Sequence, residues 1–461
     1  MFEQFQSLAT AFSQYAWGPW LLVLLLGGGL FFLFYSGFAP FRYLPHAGAL
    51  LMGRYDSSDD PGEISHFQAL SSALAGTVGM GNIGGVALAI TVGGPGAIFW
   101  MWMTAIVGIA TKFFTCSLAV MYRGRDSSGD LQGGPMYVIR AALSPKLRFL
   151  AYMFASFGLI GCLPAFQANQ LVQALREVVF VELGILEAGV AHPTFNIVAG
   201  CIIAVIAATV IFGGLQRIAR VASRVVPFMA VLYLGTALVA VLTNITELPA
   251  VIALIVTDAF TGDAVAGGAL LTVILYGVQR GAYSNEAGIG TESMAHGAAR
   301  TKEPIREGLV AMLGPAIDTL LICSATAFMI LLSGVWQSSG ESGVTLTASA
   351  FQALLGTPGL VILFVCVLCF ASTTIFTYSF YGTQCASFLF GAHRKQHYRW
   401  VYIGFIVVAS VVTLETAIGI IDGAFALMAI PTMISTLLLA PKVKEAAKRY
   451  FAGIDDPSST R

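Results

Sequence analysis

Gly76-Thr77-Val78-Gly79-Met80-Gly81-Asn82-Ile83-Gly84-Gly85 interrupts a long apolar run, and five of its ten residues are glycine. Each glycine costs a helix interior roughly 1 kcal/mol against alanine. The stretch therefore reads as a break inside a helix rather than as part of one. A second interruption, Gly281-Ala282-Tyr283-Ser284-Asn285-Glu286-Ala287-Gly288-Ile289-Gly290, carries polar and acidic residues and also lies within apolar sequence. Unwinding frees backbone N–H groups to hold a carboxylate and C=O groups to hold an ammonium or a cation. Glycine lets a substrate approach the backbone closely.

The surroundings of the two breaks define the solvent. Of 461 residues, 57% are hydrophobic and 10% charged. Typical soluble domains carry ~25% charged residues. That excludes a soluble enzyme, a disordered chain and a disulfide scaffold. The 24 basic and 24 acidic residues balance, which speaks against nucleic-acid binding. The remaining class is an all-α polytopic membrane protein. A helix needs ~20 mainly apolar residues to cross a bilayer. Eleven stretches meet that need, near 19–39, 66–91, 95–122, 149–175, 195–214, 223–244, 266–296, 307–335, 358–390, 400–416 and 419–440. The runs are continuous rather than alternating, so a β-barrel is excluded.

The basic residues fall in every second inter-span segment, with counts of two, five, three, three, three and five; the other segments hold only Arg176. The positive-inside rule then predicts the N-terminus outside and the C-terminus in the cytoplasm, in the plasma membrane of a cell (a bacterial inner membrane). The tail residues Lys442, Lys444, Lys448 and Arg449 are expected to meet anionic headgroups.

The breaks lie in the second and seventh spans, five apart. Each opens one half of a five-plus-five arrangement, and an odd number inverts the second half. Paired interrupted segments in corresponding positions point to a midplane binding site of a secondary transporter. The expected organisation is residues 1–64 with one extra N-terminal helix, a first five-helix repeat over 65–245, a second over 246–440, and a tail over 441–461. The competing reading of the glycines is close helix packing through small residues.

The motifs quoted, with Gly93-Gly94-Pro95-Gly96-Ala97-Ile98-Phe99-Trp100, Gly133-Gly134-Pro135-Met136-Tyr137, Ala295-His296, Ile317-Asp318-Thr319-Leu320 and Ala429-Ile430-Pro431, resemble the alanine or glycine:cation symporter family over about residues 60–440. The resemblance implies a leucine-transporter-type core with broken first and sixth core helices. It also implies symport of a small neutral amino acid, alanine or glycine first, with sodium or in some members protons. It implies that Thr77, Gly79, Met80, Gly81 and Asn82 in the first break, and Tyr283, Ser284 and Asn285 in the second, surround the substrate. The N–H groups near Met80 and Gly81 would hold its carboxylate. Carbonyls near Ala75, Thr77 and Val78 would help bind sodium, with the hydroxyls of Thr373 and Thr374. Family members commonly carry a tryptophan where this chain has Tyr378, and a glutamate where it has Thr383. Tyr378 is expected to face the substrate and to alter pocket size or polarity.

Ionisable groups inside the bilayer are functional candidates. Glu286 reads as a structural or gating charge, with proton carriage by Glu286 or Asp318 as the alternative form of coupling. Asp318 needs a partner, and Arg280 is the nearest unassigned cation in sequence. Lys112 either lies deep or snorkels to an interface. Gln167 either contacts the amino acid or bonds between helices, as does Asn169. His66 and His296 read as interfacial or capping residues. Asp258 and Asp263 are expected in an outer loop, with a short re-entrant or interfacial helix. Cys366 and Cys369 lack a neighbouring His and read as small apolar fillers. No metalloprotease, hydrolase or clustered His/Asp motif is present in the sequence, so an enzyme is not expected. Sodium is the expected co-substrate, with no organic cofactor, and the oligomeric state is left open.

Overall fold

The computed structural model describes residues 11–57, 59–261, 270–338 and 340–455. Asp263 and the extreme N-terminus lie outside the described residues. In chain order the helices used below are α1 (Pro19–Tyr35), α2 (His66–Thr77), α3 (Gly81–Gly93), α4 (Ala97–Met121), α5 (Pro145–Val181), α6 (Pro193–Ile211) and α7 (Gly214–Thr243). They continue as α8 (Leu248–Thr261), α9 (Leu270–Asn285), α10 (Glu292–His296), α11 (Pro304–Ser333), α12 (Val344–Phe390), α13 (Lys395–Ala409) and α14 (Leu414–Asp455).

Seven of these are long and apolar enough to cross a bilayer, and eight if α2 and α3, bent by 50° at a short break, count as one span. Helical segments also occupy the remaining predicted stretches, but α1, α9 and α13 are shorter. The ninth stretch begins earlier than expected. α12 extends back to Val344 across Gly356, whose φ of +64° lets the chain turn while helix resumes on both sides. α14 continues through Pro441 to Asp455, so the stretch expected as the tail is helical as far as Asp455. Asp258 lies on a helix, α8, where its Oδ2 accepts from the Gly96 N–H at 2.7 Å.

Burial sorts the helices by solvent. α4 is largely buried, and packs against α9 and α11. α6 and α7 keep most of their surface outward, with Val205, Ile202 and Val231 exposed. Apolar side chains on the outside are what lipid as solvent requires. α2 lies against α7 and α12, so the first break is enclosed on all sides.

Candidate functional site

The first break begins where Val78 leaves the helix, with φ −75° and ψ 86°. Freed backbone groups must find partners in a dry interior. Asn82 Oδ1 accepts from the Gly79 N–H at 2.8 Å. Thr326 of α11 donates to the Asn82 carbonyl at 2.7 Å, and Thr347 of α12 to that of Ile83 at 3.2 Å. Gly79 is required by close approach: a Cβ there would stand 2.3 Å from Thr374 Oγ1. A Cβ on Gly81 would press on the Tyr283 ring at 3.3 Å, so the two breaks touch.

The second break turns at Glu286, a non-glycine residue with φ +55°. Such a conformation persists only where surroundings hold it. Here they do. Tyr378 of α12 donates to Glu286 Oε1 at 2.5 Å, and Thr291 donates to Oε2 at 2.5 Å. Asn285 Oδ1 accepts from the Ala287 N–H at 3.0 Å, and its Nδ2 donates to Thr319 at 3.2 Å. Thr432 of α14 donates to the Ile289 carbonyl at 2.8 Å.

Asp318 of α11 joins the breaks. Asn82 Nδ2 donates to its Oδ1 at 2.6 Å, while Ser284 and Thr319 hydroxyls donate to its Oδ2, both at 2.7 Å. One buried carboxylate thus takes a donor from each interrupted helix. The expected Arg280 partnership is corrected: Arg280 instead pairs with Asp422 of α14, which also accepts from Gln279 at 2.9 Å. The carboxylate of Asp318 is satisfied by neutral donors, and a guanidinium is not needed there.

An aromatic group closes over this centre. The Tyr283 ring centroid lies 5.8 Å from Phe166 and 5.3 Å from Phe425, under the Arg280 guanidinium at 5.3 Å. The Tyr283 hydroxyl and Gln167 Oε1 are neighbours, and neither makes a well-formed hydrogen bond among the described residues. Asn169 takes the helix-bonding role, donating to the Val412 carbonyl at 2.7 Å.

Of the other sequence candidates, Ala75, Thr77, Val78 and Met80 are buried in or beside the first break. Thr374 faces Gly79, while its hydroxyl donates to the Phe370 carbonyl at 2.9 Å. Thr373 turns its hydroxyl to the Cys369 carbonyl at 2.8 Å and towards Met229. Lys112 is deep, 1% exposed, with its Nζ beside Gly314 of α11. His66 and His296, at the ends of their helices, are both buried on Glu307. Sequence reading missed Glu307 and Asp422, each isolated among residues with no chemical motif. A buried carboxylate in an apolar context was the signal that could have found Asp422.

Among the described residues there is no cluster of three or more His, Cys, Asp or Glu suited to a metal. The comparisons agree with a transporter. Residues 2–459 match the family model described as the sodium:alanine symporter family. The chain is 37% identical over 454 residues to the sodium/alanine symporter AgcS of Methanococcus maripaludis, covering 97% of each chain. It is 36% identical over 461 residues to the amino-acid carrier protein AlsT of Bacillus subtilis, covering 98% of this chain and 94% of that one. The solved structure of MhsT in complex with L-phenylalanine matches with a TM-score of 0.59 at 13% identity, over 83% of this chain and 98% of that chain. That likeness shows the leucine-transporter fold alone. The chain is a multi-pass membrane transporter, not an enzyme, and belongs to the sodium:alanine symporter family.

Proposed function

We propose that the protein imports a small neutral amino acid, alanine or glycine first, together with sodium by alternating access. The observation that carries this reading is the convergence of both breaks: Gly81 abuts Tyr283, and Asn82 and Ser284 both donate to Asp318. Eleven spans, with one helix ahead of two inverted five-helix repeats, the N-terminus outside and the C-terminus in the cytoplasm of a bacterium, complete it. The domain bounds are those expected from the sequence.

In this reading the N–H groups at Met80 and Gly81 hold the substrate carboxylate, and Thr77, Gly79, Asn82, Tyr283, Ser284, Asn285 and Gln167 line the site. The Tyr283 hydroxyl and Gln167 Oε1, buried side by side without a well-formed hydrogen bond, support a polar contact there, because buried polar atoms are normally paired. The ring of Tyr283 against Gly81, with Phe166 and Phe425 behind it, supports a small substrate. Tyr378 acts through Glu286, which it holds, rather than on the amino acid. Sodium takes the carbonyls of Ala75 and Val78 with the hydroxyls of Thr374 and Thr373. Oxygen donors suit a hard cation. The approach of Thr374 to Gly79 supports that pairing. Glu286 and Asp318 brace the breaks, and binding of substrate and ion shifts the balance between outward and inward states by differential affinity.

The test is equilibrium binding of labelled alanine to purified protein, competed by a panel of amino acids with and without sodium. Alanine and glycine should compete, and only with sodium. Competition by phenylalanine or glutamate at similar concentrations would overturn the substrate class.

A further inference from the structure

His66 opens α2, His296 closes α10, and Glu307 lies in the first turn of α11. Glu307 and His296 are 0% exposed and His66 1%. The carboxylate takes one imidazole on each oxygen. His66 Nδ1 meets Oε2, and His296 Nδ1 meets Oε1 at 2.6 Å. Both Nε2 atoms are buried without a hydrogen-bond partner among the described residues.

Two neutral imidazoles would leave the carboxylate's charge uncompensated out of water, at a cost that buried charges normally avoid by pairing. One added proton makes the set an ion pair. Histidine is the side chain whose protonation changes near neutral pH. The other groups facing the set are Asp56, 3.8 Å from His66 Nε2, Arg306 next to Glu307, Arg123 beyond α4, Cys116 of α4 and Glu292 of α10.

The position gives the proton something to control. α2 has 12 residues, about 18 Å at helical rise. One end is the break at Val78. The other end is tied to the segment after α10: Glu63 N–H donates to the Ala298 carbonyl at 2.9 Å and Arg300 N–H to that of Ile64 at 2.7 Å. Arg123 clamps the same ground, donating to the carbonyls of Gly297 at 2.7 Å, Thr301 at 2.9 Å and Pro61 at 3.1 Å. α2 is an arm with a hinge at one end and the His–Glu–His set at the other.

We propose that His66, Glu307 and His296 form a proton-binding site that latches α2 to α10 and α11, so that pH on that face of the membrane sets how readily α2 swings on the break. Under the orientation proposed above, on which this sidedness rests, that face is the cytoplasm. With the proton bound, an ion pair joins the three elements. When it leaves as pH rises, the buried set carries net negative charge and loosens.

The test is amide hydrogen exchange of residues 63–77 in the full-length protein in lipid nanodiscs, from about pH 5.5 to about 8.5, corrected for intrinsic rates. Protection in the wild type should fall about tenfold across that range. Glu307→Gln keeps the shape and one accepting oxygen but not the charge, and its corrected exchange should not vary with pH. His296→Gln leaves one imidazole on Glu307 to hold the proton, so the midpoint of its pH dependence should shift, and it carries the test if Glu307→Gln does not fold. Flat protection in the wild type, or an unchanged pH dependence in the variants, would overturn the latch. Exchange is read without transport, so a failure of sodium-driven uptake would sink the proposed function and leave this result standing.

Discussion

Gly79→Ala is the sharpest perturbation of the first break. The added methyl would lie 2.3 Å from Thr374 Oγ1, 3.3 Å from its Cβ and 3.5 Å from its Cγ2. Ordinary contact needs roughly 3.5 Å, so the hydroxyl must retreat by about 1 Å. It is held to the Phe370 carbonyl at 2.9 Å, and the Gly79 N–H is held by Asn82 Oδ1 at 2.8 Å. Neither side yields without losing a bond. Overpacking of this kind costs roughly 1–3 kcal/mol. Spent on the oxygens proposed for sodium, that weakens the ion by roughly 5–150-fold. Sodium titration of labelled-alanine binding should show a half-saturating concentration raised at least about fivefold. Gly79→Ala combined with Thr374→Ala removes the clashing hydroxyl, so unfolding temperature should recover while sodium affinity does not. A single variant with a wild-type sodium response would refute the packing argument. A double variant with wild-type sodium affinity would remove Thr374 from the ion site.

Tyr378→Phe removes one of the two hydroxyl donors to the Glu286 carboxylate and should destabilise by about 1–3 kcal/mol in thermal unfolding; an unchanged midpoint would mean that Glu286 needs no second donor. Asp422→Asn leaves the Arg280 charge buried without its carboxylate and should cost about 3–5 kcal/mol, with the double variant Arg280→Gln/Asp422→Asn recovering most of it. Outside the membrane, burial would raise the Asp126 carboxyl, but the Lys395 ammonium and the amides of Ser128 and Asp130 hold it below the ordinary carboxylate range. A folded value below the unfolded one means stability present above pH ~4 and lost as pH falls through the folded value. Asp126→Asn should therefore lower the unfolding midpoint at neutral pH by an amount worth about 1 kcal/mol, a deficit that disappears under acid.

The breaks were legible because their signal is local. Five glycines in ten residues deny a helix, whatever surrounds them. The solvent was legible because lipid acts on composition as a whole. The partners of the buried charges were not. Asn82 and Asp318 are 236 residues apart, His66 and Glu307 241, and Arg280 and Asp422 142. Sequence proximity suggested Arg280 for Asp318, but the fold satisfies Asp318 with Asn82, Ser284 and Thr319 and sends the guanidinium across to α14. Likewise, a histidine near a span's end reads as capping until a carboxylate from another helix is found beside it. The hydroxyl of Tyr378, a residue expected to face the substrate, donates to Glu286, a partner 92 residues away that the sequence did not suggest.

The measurement that bears most directly on the account is uptake of labelled alanine into proteoliposomes with an imposed sodium gradient, against the same vesicles with a proton gradient alone. Accumulation above equilibrium only with inward sodium is the predicted result. Equal accumulation without sodium, driven by the proton gradient, would contradict it and would transfer the coupling to the carboxylates of Glu286 and Asp318.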